Sequence, residues 1–371
     1  MRLRYCNLRK GSGGREGVSE KVEYFSHLAD EFGSSCRVRW PKLWTKRELP
    51  PSLWRELGEL GLLGLSAPES FGGQGLSVDE IARVSQAFAR AAGIQGLVMV
   101  VQSHNLMADW ILGHFANDKQ KREVWPKIVT GEATIAFAVS EKGAGAHPKK
   151  LSSTARREGE DWLLDGDKAY VTNGPIASIF CIVAVAERNK GRNKFQAFLV
   201  PRSSSGLEVK ESEEVNFLKP AGHASLSFKN LLLSDDCRLG VAEDIYPLLV
   251  RPLRDHEDVA GARAQLGGYE RLVHAIAKNS ELTSLAGRMS ARLHAITLCL
   301  DQDNSTKGLL ATRAVLADVA AGLESIMSEI PEIFDDADTV LANDLFKLGK
   351  VAEYAIEARF SQHGRNLNDC A

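Results

Sequence analysis

Three blocks of hydrophobic pattern follow one another along this chain. Up to about residue 131, apolar residues recur at spacings of three and four, which is typical of amphipathic helices. Between about residues 134 and 233, short apolar runs and apolar–polar alternation predict strands. Beyond Gly240 the helical spacing returns and continues. The pattern therefore predicts helices, then a β region, then helices again.

Two helix starts stand out in the first block. Pro50, Pro51 and Ser52 precede a leucine-rich amphipathic stretch, and the serine is a candidate N-cap. Ser77 is followed three residues later by Glu80, which is the spacing of a capping box. These signals predict a helical domain at the beginning of the chain.

The last block contains long apolar stripes. Each stripe has the three-and-four spacing of a buried helix face, and short polar joints separate the stripes. Stripes of this kind belong to a packed core far more often than to a cofactor site. They predict an antiparallel bundle, and the positions concerned are Leu282, Leu285, Met289, Leu293, Ile296, Leu300, Leu316, Val319, Leu323, Ile326, Leu341, Leu345 and Leu348.

We therefore expect an α+β multidomain fold. Its predicted parts are an N-terminal helical domain over residues 18–131, a middle antiparallel β-domain (barrel or sandwich) over 132–240, and a C-terminal four-helix-type bundle over 241–371. Residues 1–17 are basic and glycine-rich and lack the apolar segment of a secretory signal. We expect them to form a disordered tail.

Composition excludes several classes of function. The formal net charge of -2 gives no reason to expect nucleic acid or an anionic membrane as partner, and no apolar run is long enough to span a membrane. The cysteines form no CxxC pair, which argues against zinc and against a disulfide framework. We expect reduced thiols, a cytoplasmic location and no bound metal; the cysteines are Cys6, Cys36, Cys181, Cys237, Cys299 and Cys370.

A turn of small residues is the first candidate for chemistry. Gly143 and Gly145 follow an apolar run of strand length and precede three alternating segments. Glycine lets the main chain approach a ligand closely, and consecutive N–H groups can bind an anion or a polarised ring edge. Taken alone, such a turn more often serves only to reverse the chain.

Two longer motifs change this interpretation. The segments FAVSEKGAGA, which begins at Phe137, and LDGDKAYVTNG, which begins at Leu164, together resemble the middle β-domain of the acyl-CoA dehydrogenase family. The segment LGLLGLSAPESFGGQGLS, which begins at Leu60, resembles that family's N-terminal domain. The resemblance covers about residues 49–363 and is dense up to Phe228. It implies FAD as cofactor and an acyl-CoA, or an acyl thioester on a carrier protein, as substrate.

The resemblance also implies where the flavin lies. Tyr170 stands where the family has a tryptophan stacked on the flavin, and Thr172 where a threonine hydroxyl approaches flavin N5. Ala146 replaces a serine of the family's turn. The residues that we assign to the cofactor on this basis are Phe137, Val139, Ser140, Gly145, Ala146, Tyr170 and Thr172.

Glu270 is the carboxylate that the resemblance offers as catalytic base. It lies in the segment GGYERLV, which resembles the Leu-Glu-Arg-Leu helix of the isovaleryl- and long-chain-type members. The implied reaction removes the α-proton of the thioester and passes the β-hydride to flavin N5. The alternative for Glu270 is a solvated helix glutamate without a catalytic role.

The end of the chain departs from the family pattern, so other functions stay open. The segment NSTKGLL, which begins at Asn304, lacks the Arg-x-x-Phe-Gly sequence that touches a neighbouring subunit's cofactor in the family, and we expect a shortened C-terminal bundle. The alternatives are a non-catalytic subunit or binding module, and a flavin-dependent monooxygenase. The family further implies electron-transfer flavoprotein or another acceptor as partner, and a homodimer or homotetramer.

Overall fold

The structure, a computed structural model, describes residues 19–189, 192–302 and 306–368. The tail predicted over residues 1–17 lies outside them. A helical region comes first, in which a π-helical segment (Asp109–Gly113) follows the fourth helix and precedes the fifth. Its helices are α1 (Glu20–Arg39), α2 (Pro51–Glu59), α3 (Val78–Ala92), α4 (Gln95–Ala108) and α5 (Asp118–Thr130).

The predicted helix starts have different outcomes. The capping box is confirmed, because the Ser77 hydroxyl accepts a hydrogen bond from the Glu80 N–H and the Glu80 carboxylate accepts one from the Ser77 N–H. The cap predicted at Ser52 is wrong. Helix α2 begins one residue earlier, at Pro51, whose fixed φ suits the first helical position, so Ser52 already lies inside the helix.

A curled sheet of seven strands follows the helices. Its strand order is β1-β4-β2-β3-β7-β6, with β5 paired to β4. A core of apolar residues from these strands fills the interior, with Phe180, Phe198 and Leu231 fully buried. The strands are β1 (Ile135–Ala138), β2 (Thr154–Glu158), β3 (Asp161–Thr172), β4 (Ile179–Asn189), β5 (Arg192–Pro201), β6 (Leu207–Glu211) and β7 (His223–Leu233).

The sheet is mixed, whereas the sequence predicted an antiparallel one. Strand β4 runs parallel to β1 along four residue pairs and meets β2 in parallel at one pair. The other pairings are antiparallel. The prediction missed the parallel pairs because they join strands that are distant in sequence, while alternation within a strand is the same for both directions.

Four long helices form the C-terminal bundle, as predicted. They are α6 (Tyr246–Ile276), α7 (Thr283–Gln302), α8 (Thr306–Glu329) and α9 (Asp336–Asn368). The predicted stripes supply its core, in which Leu293, Val319 and Leu345 are at most 1% exposed. An α+β architecture with helical, β and helical parts is therefore confirmed.

Helix α6 belongs to two cores at once. Its first half, including Leu249 and Ala260, packs with the N-terminal helices and several strands, whereas its second half, including Leu266 and Leu272, packs in the bundle. Because one helix crosses between both cores, the domain limits predicted at 131 and 240 stay predictions. Across the described ranges, no helix combines the length and the apolar character needed to cross a membrane.

Candidate active site

A cleft lies between the sheet, helix α4 and the first half of α6. Its volume is about 320 Å³, which is within the range of small-molecule sites. The residues that the resemblance assigned to the flavin line this cleft, except Gly145. The lining comprises Ser103, Met107, Phe137, Val139, Ser140, Ala146, Tyr170, Thr172, Val250, Arg254 and Glu257.

The small-residue turn forms the rim of the cleft. It is closed by two backbone hydrogen bonds, in which the Glu141 N–H donates to the Gly145 carbonyl at 3.0 Å and the Gly145 N–H donates to the Glu141 carbonyl at 2.9 Å. Gly143 and Gly145 have φ of 75° and 55°, which favours glycine. A Cβ at either position would meet no protein atom within 4 Å, so the space beside them is open to a ligand.

A buried ion pair joins this turn to strand β3. Lys168 Nζ lies 2.9 Å from Glu141 Oε1, and it also donates to the Val139 carbonyl at 3.2 Å. Ser152 donates to the same carboxylate through both its N–H and its hydroxyl, and Ser153 through its N–H. The pair therefore fixes the turn against the strand that carries Tyr170.

The charge state of this pair follows from its contacts. Burial alone would raise the pKa of Glu141, but the hydrogen bonds from Ser152 and the Lys168 cation lower it to about 2. Burial also lowers the pKa of Lys168, while the Glu141 carboxylate opposes that change. A cation and an anion that compensate each other therefore hold the turn against strand β3, behind the residues that line the cleft.

A β-bulge decides which residues of β3 face the cleft. Lys168 pairs with Leu226 and Val171 with Ala224, so β3 has one more residue than β7 between these two pairs. Lys168 and Val171 consequently both face the sheet interior, where each is 1% exposed. Thr172 is turned to the cleft instead.

Tyr170 lies within the bulge, with φ of 60°. Its side chain is 40% exposed and forms part of the cleft wall. Its hydroxyl bonds to the Glu214 carboxylate, which also lies 2.5 Å from Lys142 Nζ. These contacts hold an aromatic ring at the open side of the cleft, where a flat ligand could stack on it.

One face of helix α6 forms the opposite wall. Val250, Arg254 and Glu257 follow one another at spacings of four and three, so they share that face. At the start of the helix, the Tyr246 hydroxyl donates to the Ala146 carbonyl and ties α6 to the turn. The wall therefore presents one apolar, one cationic and one acidic side chain to the cleft.

Glu257 is the carboxylate of this cleft. Solvent reaches it through the open side, while protein atoms crowd around it. The protein atoms around it desolvate the carboxyl group and raise its pKa to about 7, the neighbouring Asp258 adds to the rise, and Arg254 opposes it. A carboxyl group that titrates near neutral pH is suited to general acid–base chemistry.

Glu270 lies elsewhere. It lines a second cleft of about 470 Å³, together with Arg90, His274 and His294. Its Oε1 accepts a hydrogen bond from Gln86 at 2.8 Å, and its Oε2 is 3.7 Å from Arg90 Nη1. The structure therefore does not bring Glu270 together with the predicted flavin contacts.

Sequence analysis missed the α6 wall and the ion pair. The available signal for Glu257 was the helical spacing of Val250, Arg254 and Glu257. It was missed because this segment is too rich in charged residues to show an apolar stripe. No short-range pattern indicated the pairing of Glu141 with Lys168. Among the described residues, no group of three or more His, Cys, Asp or Glu side chains could hold a metal ion.

Comparison with known proteins identifies the family. The family model for the acyl-CoA dehydrogenase N-terminal domain matches residues 23–132, and the model for the acyl-CoA dehydrogenase middle domain matches residues 136–231. Together they cover more than half of the chain. The chain belongs to the acyl-CoA dehydrogenase family. The resemblance seen in the sequence motifs is thereby confirmed.

Individual family members show how far the likeness extends. Acyl-CoA dehydrogenase FadE12 of Mycobacterium tuberculosis is 31% identical over 223 residues, which is 60% of this chain and 56% of that protein. L-prolyl-[peptidyl-carrier protein] dehydrogenase of Pseudomonas fluorescens is 35% identical over 209 residues, or 56% and 52% of the two chains. The chain thus spans about half the length of the curated relatives it matches.

A solved structure extends the likeness to the whole fold. The glutaryl-CoA dehydrogenase from Mycobacterium smegmatis, in complex with FADH2, has a TM-score of 0.78 and 19% identity. The match covers 94% of this chain and 95% of that one. At this identity the match concerns the fold, and it includes the bundle that the family models leave out.

Proposed function

We propose that this chain is an FAD-dependent dehydrogenase of an acyl thioester, with Glu257 as the base that takes the α-proton. The observation that supports this is the single cleft lined by Glu257 and by the predicted flavin contacts Val139, Ser140, Tyr170 and Thr172. The proposal replaces Glu270 as base, because Glu270 lies in another cleft.

The residues of the cleft fit a flavin. Tyr170 offers an exposed aromatic face, and the Thr172 hydroxyl faces the same space. Gly143 and Gly145 border open space at the turn next to the lining residues Ser140 and Ala146. When bound, FAD would accept the hydride that leaves the β-carbon of the thioester.

The chain's own residues would control the proton. Glu257 takes it as the α C–H bond breaks, and the electron pair of that bond becomes the second bond between the α- and β-carbons. A pKa of about 7 leaves a large share of Glu257 ionised at neutral pH and ready to act as base. Met107 and Val250 supply apolar surface to the same cleft.

The substrate and acceptor belong to the proposal as well. The relatives' names include both acyl-CoA and peptidyl-carrier-protein substrates, so either form of thioester is a candidate here. Electron-transfer flavoprotein or another acceptor would reoxidise the flavin. A cytoplasmic location and a homodimer or homotetramer stay predictions.

An anaerobic titration tests the function. Purified protein is loaded with FAD and titrated with a panel of acyl-CoAs and acyl-loaded carrier proteins, while the visible flavin absorbance is followed. We expect the absorbance to bleach with at least one thioester. Protein that takes up no FAD would instead support a non-catalytic module, and rapid reoxidation by oxygen with hydroxylation of the substrate would support a monooxygenase.

A further inference from the structure

Arg254 is an exposed cation of the cleft that forms no ion pair within 4.0 Å among the described residues. It lies on the same face of α6 as Glu257, about one helical turn away, and both side chains line the cleft. Asp255 and Asp258 are its neighbours in sequence, but both pair with Arg359, at 3.0 and 2.9 Å. Within the described ranges, no carboxylate oxygen lies within 4.0 Å of the Arg254 guanidinium.

Other arginines of the chain are committed to partners. Arg90 pairs with Asp30, Arg263 with Asp301, and Arg313 donates to Gln265. Arg251 also has no carboxylate within 4.0 Å among the described residues, but it lies outside the cleft lining. Arg254 thus combines a place in the cleft with free hydrogen-bond donors.

We infer that Arg254 receives an anionic group of the substrate. A guanidinium presents paired donors whose geometry matches a carboxylate or a phosphate. The inference rests on the proposed function, since it concerns the thioester that reacts beside Glu257. It assigns to the α6 wall the contact with an anionic group of that thioester.

Two parts of a thioester could supply that anion. One is a free carboxylate on the acyl group, as in the monothioester of a dicarboxylic acid. The other is the phosphate of the phosphopantetheine arm, which CoA and carrier proteins share. The chemistry at Arg254 is the same in both cases, so ligands that carry one group, both or neither distinguish the two sources.

The experiment uses four thioesters with FAD-loaded protein. They are butyryl and glutaryl thioesters, each on pantetheine without phosphate and on phosphopantetheine. Stopped-flow reduction of the flavin under anaerobic conditions, at a series of concentrations, gives the dissociation constant and the limiting rate separately. The variants are Arg254→Gln, Arg254→Lys and the control Arg251→Gln, which removes the same charge one helical turn away and outside the cleft.

For a carboxylate, Arg254→Gln should weaken both glutaryl thioesters about tenfold to a hundredfold and leave both butyryl thioesters within twofold. For a phosphate, it should weaken both phosphopantetheine thioesters and leave both pantetheine thioesters unchanged. Arg254→Lys, which keeps the charge and loses the fork, should give a smaller loss. In all cases Arg251→Gln should match the unsubstituted protein.

Two results would overturn the inference. One is equal dissociation constants for Arg254→Gln and Arg251→Gln with all four thioesters. The other is an equal change with all four, including butyryl pantetheine, because Arg254 would then act only on Glu257. Failure of the unsubstituted protein to bind FAD, or to be reduced by any thioester, would instead contradict the proposed function, and the inference would fall with it.

Discussion

Two clefts on helix α6 each contain a glutamate, and their surroundings differ. Glu257 faces a sheet, a glycine turn and an exposed aromatic ring. Glu270 faces only helices, with Gln86 and Arg90 of α3 as its polar contacts. Burial raises the pKa of both carboxyl groups, so the raised pKa does not separate them. Their neighbours do, because only the first cleft combines an acid with surfaces suited to a flavin and a thioester.

The two glutamates also differ in the hydrogen bonding and exposure of their carboxylates. One oxygen of Glu270 is buried without a hydrogen-bond partner, and its nearest cation, Arg90, is itself paired with Asp30 at 3.0 Å. Glu257 is instead open to the cleft. An acid that exchanges a proton with a ligand needs such access. Glu270 also lines a cleft, with a side chain that is 21% exposed, but that cleft contains none of the predicted flavin contacts.

Substitution of the two glutamates is the sharpest test of this contrast. We expect Glu257→Gln to retain flavin and to lower the rate of flavin reduction about 10²–10⁴-fold, the range for loss of a general base. Glu270→Gln, the matched control on the same helix, should leave the rate within about twofold. Anaerobic stopped-flow absorbance measures both rates. A large loss in Glu270→Gln with none in Glu257→Gln would reverse the assignment.

Disruption of the Glu141–Lys168 pair should damage the first cleft. Lys168→Met leaves a buried carboxylate without its cation, which costs about 3–5 kcal/mol in the free energy of unfolding. FAD affinity should fall as well, because the turn loses its attachment to β3. Urea denaturation and flavin titration measure the two effects.

A double variant separates these effects. Lys168→Met combined with Glu141→Gln should recover part of the lost stability, since no unpaired charge remains. Lys168→Met that binds FAD as tightly as the unsubstituted protein would show that the pair does not position the turn.

The pH dependence of reduction should follow Glu257. Because the base must be ionised, the apparent second-order rate constant should rise with pH up to about 7 and then level off. Below that value each pH unit should lower it about tenfold. Glu270→Gln should show the same profile. A profile that is flat between pH 5 and 8 (about two units either side of the expected midpoint) would remove Glu257 as the titrating base.

The charge on Glu270 should affect the free energy of unfolding instead of the rate of flavin reduction. Burial raises the pKa of Glu270 in the folded protein, while Gln86, Arg90 and His294 oppose the rise. The contribution of Glu270 to the free energy of unfolding is therefore fully present below its unfolded pKa and is lost as pH rises through its folded pKa. Glu270→Gln should therefore raise the free energy of unfolding at neutral pH, on the order of 1 kcal/mol, and not at pH 4 (about the unfolded pKa). Thermal unfolding at both pH values measures this; an equal gain at both would contradict it.

Much of the fold was predictable because local pattern determines it. The capping box at Ser77 and the bundle stripes depend on spacings within one helix, and the structure has them where the sequence placed them. The parallel pairing of β1 with β4 was not predictable, because it joins Ile135 to Ile179 across two intervening strands. The prediction at Ser52 failed because Pro51 occupies the first helical position, so the serine lies inside the helix and cannot cap it.

The candidate site divides in the same way. Two continuous motifs located one wall of the cleft, and all assigned residues except Gly145 line it. The acid that faces this wall, Glu257, comes from a distant helix, whereas the Glu-Arg-Leu segment pointed to Glu270, which lies in another cleft. Only packing shows which turn of a long helix faces the sheet, so Glu257 emerges from the structure and Glu270 from local sequence.

The extra residue in β3 has a consequence for how the family's chemistry could be lost. Without it, two-residue alternation would put Lys168 and Thr172 on the same side of β3. Lys168 could then not pair with Glu141 in the sheet interior while Thr172 faces the cleft. Deletion of a single codon, at Ala169 for example, would exchange inside and outside for part of the strand. We expect the fold to tolerate this deletion and flavin binding to be lost, because Thr172 would turn away from the cleft.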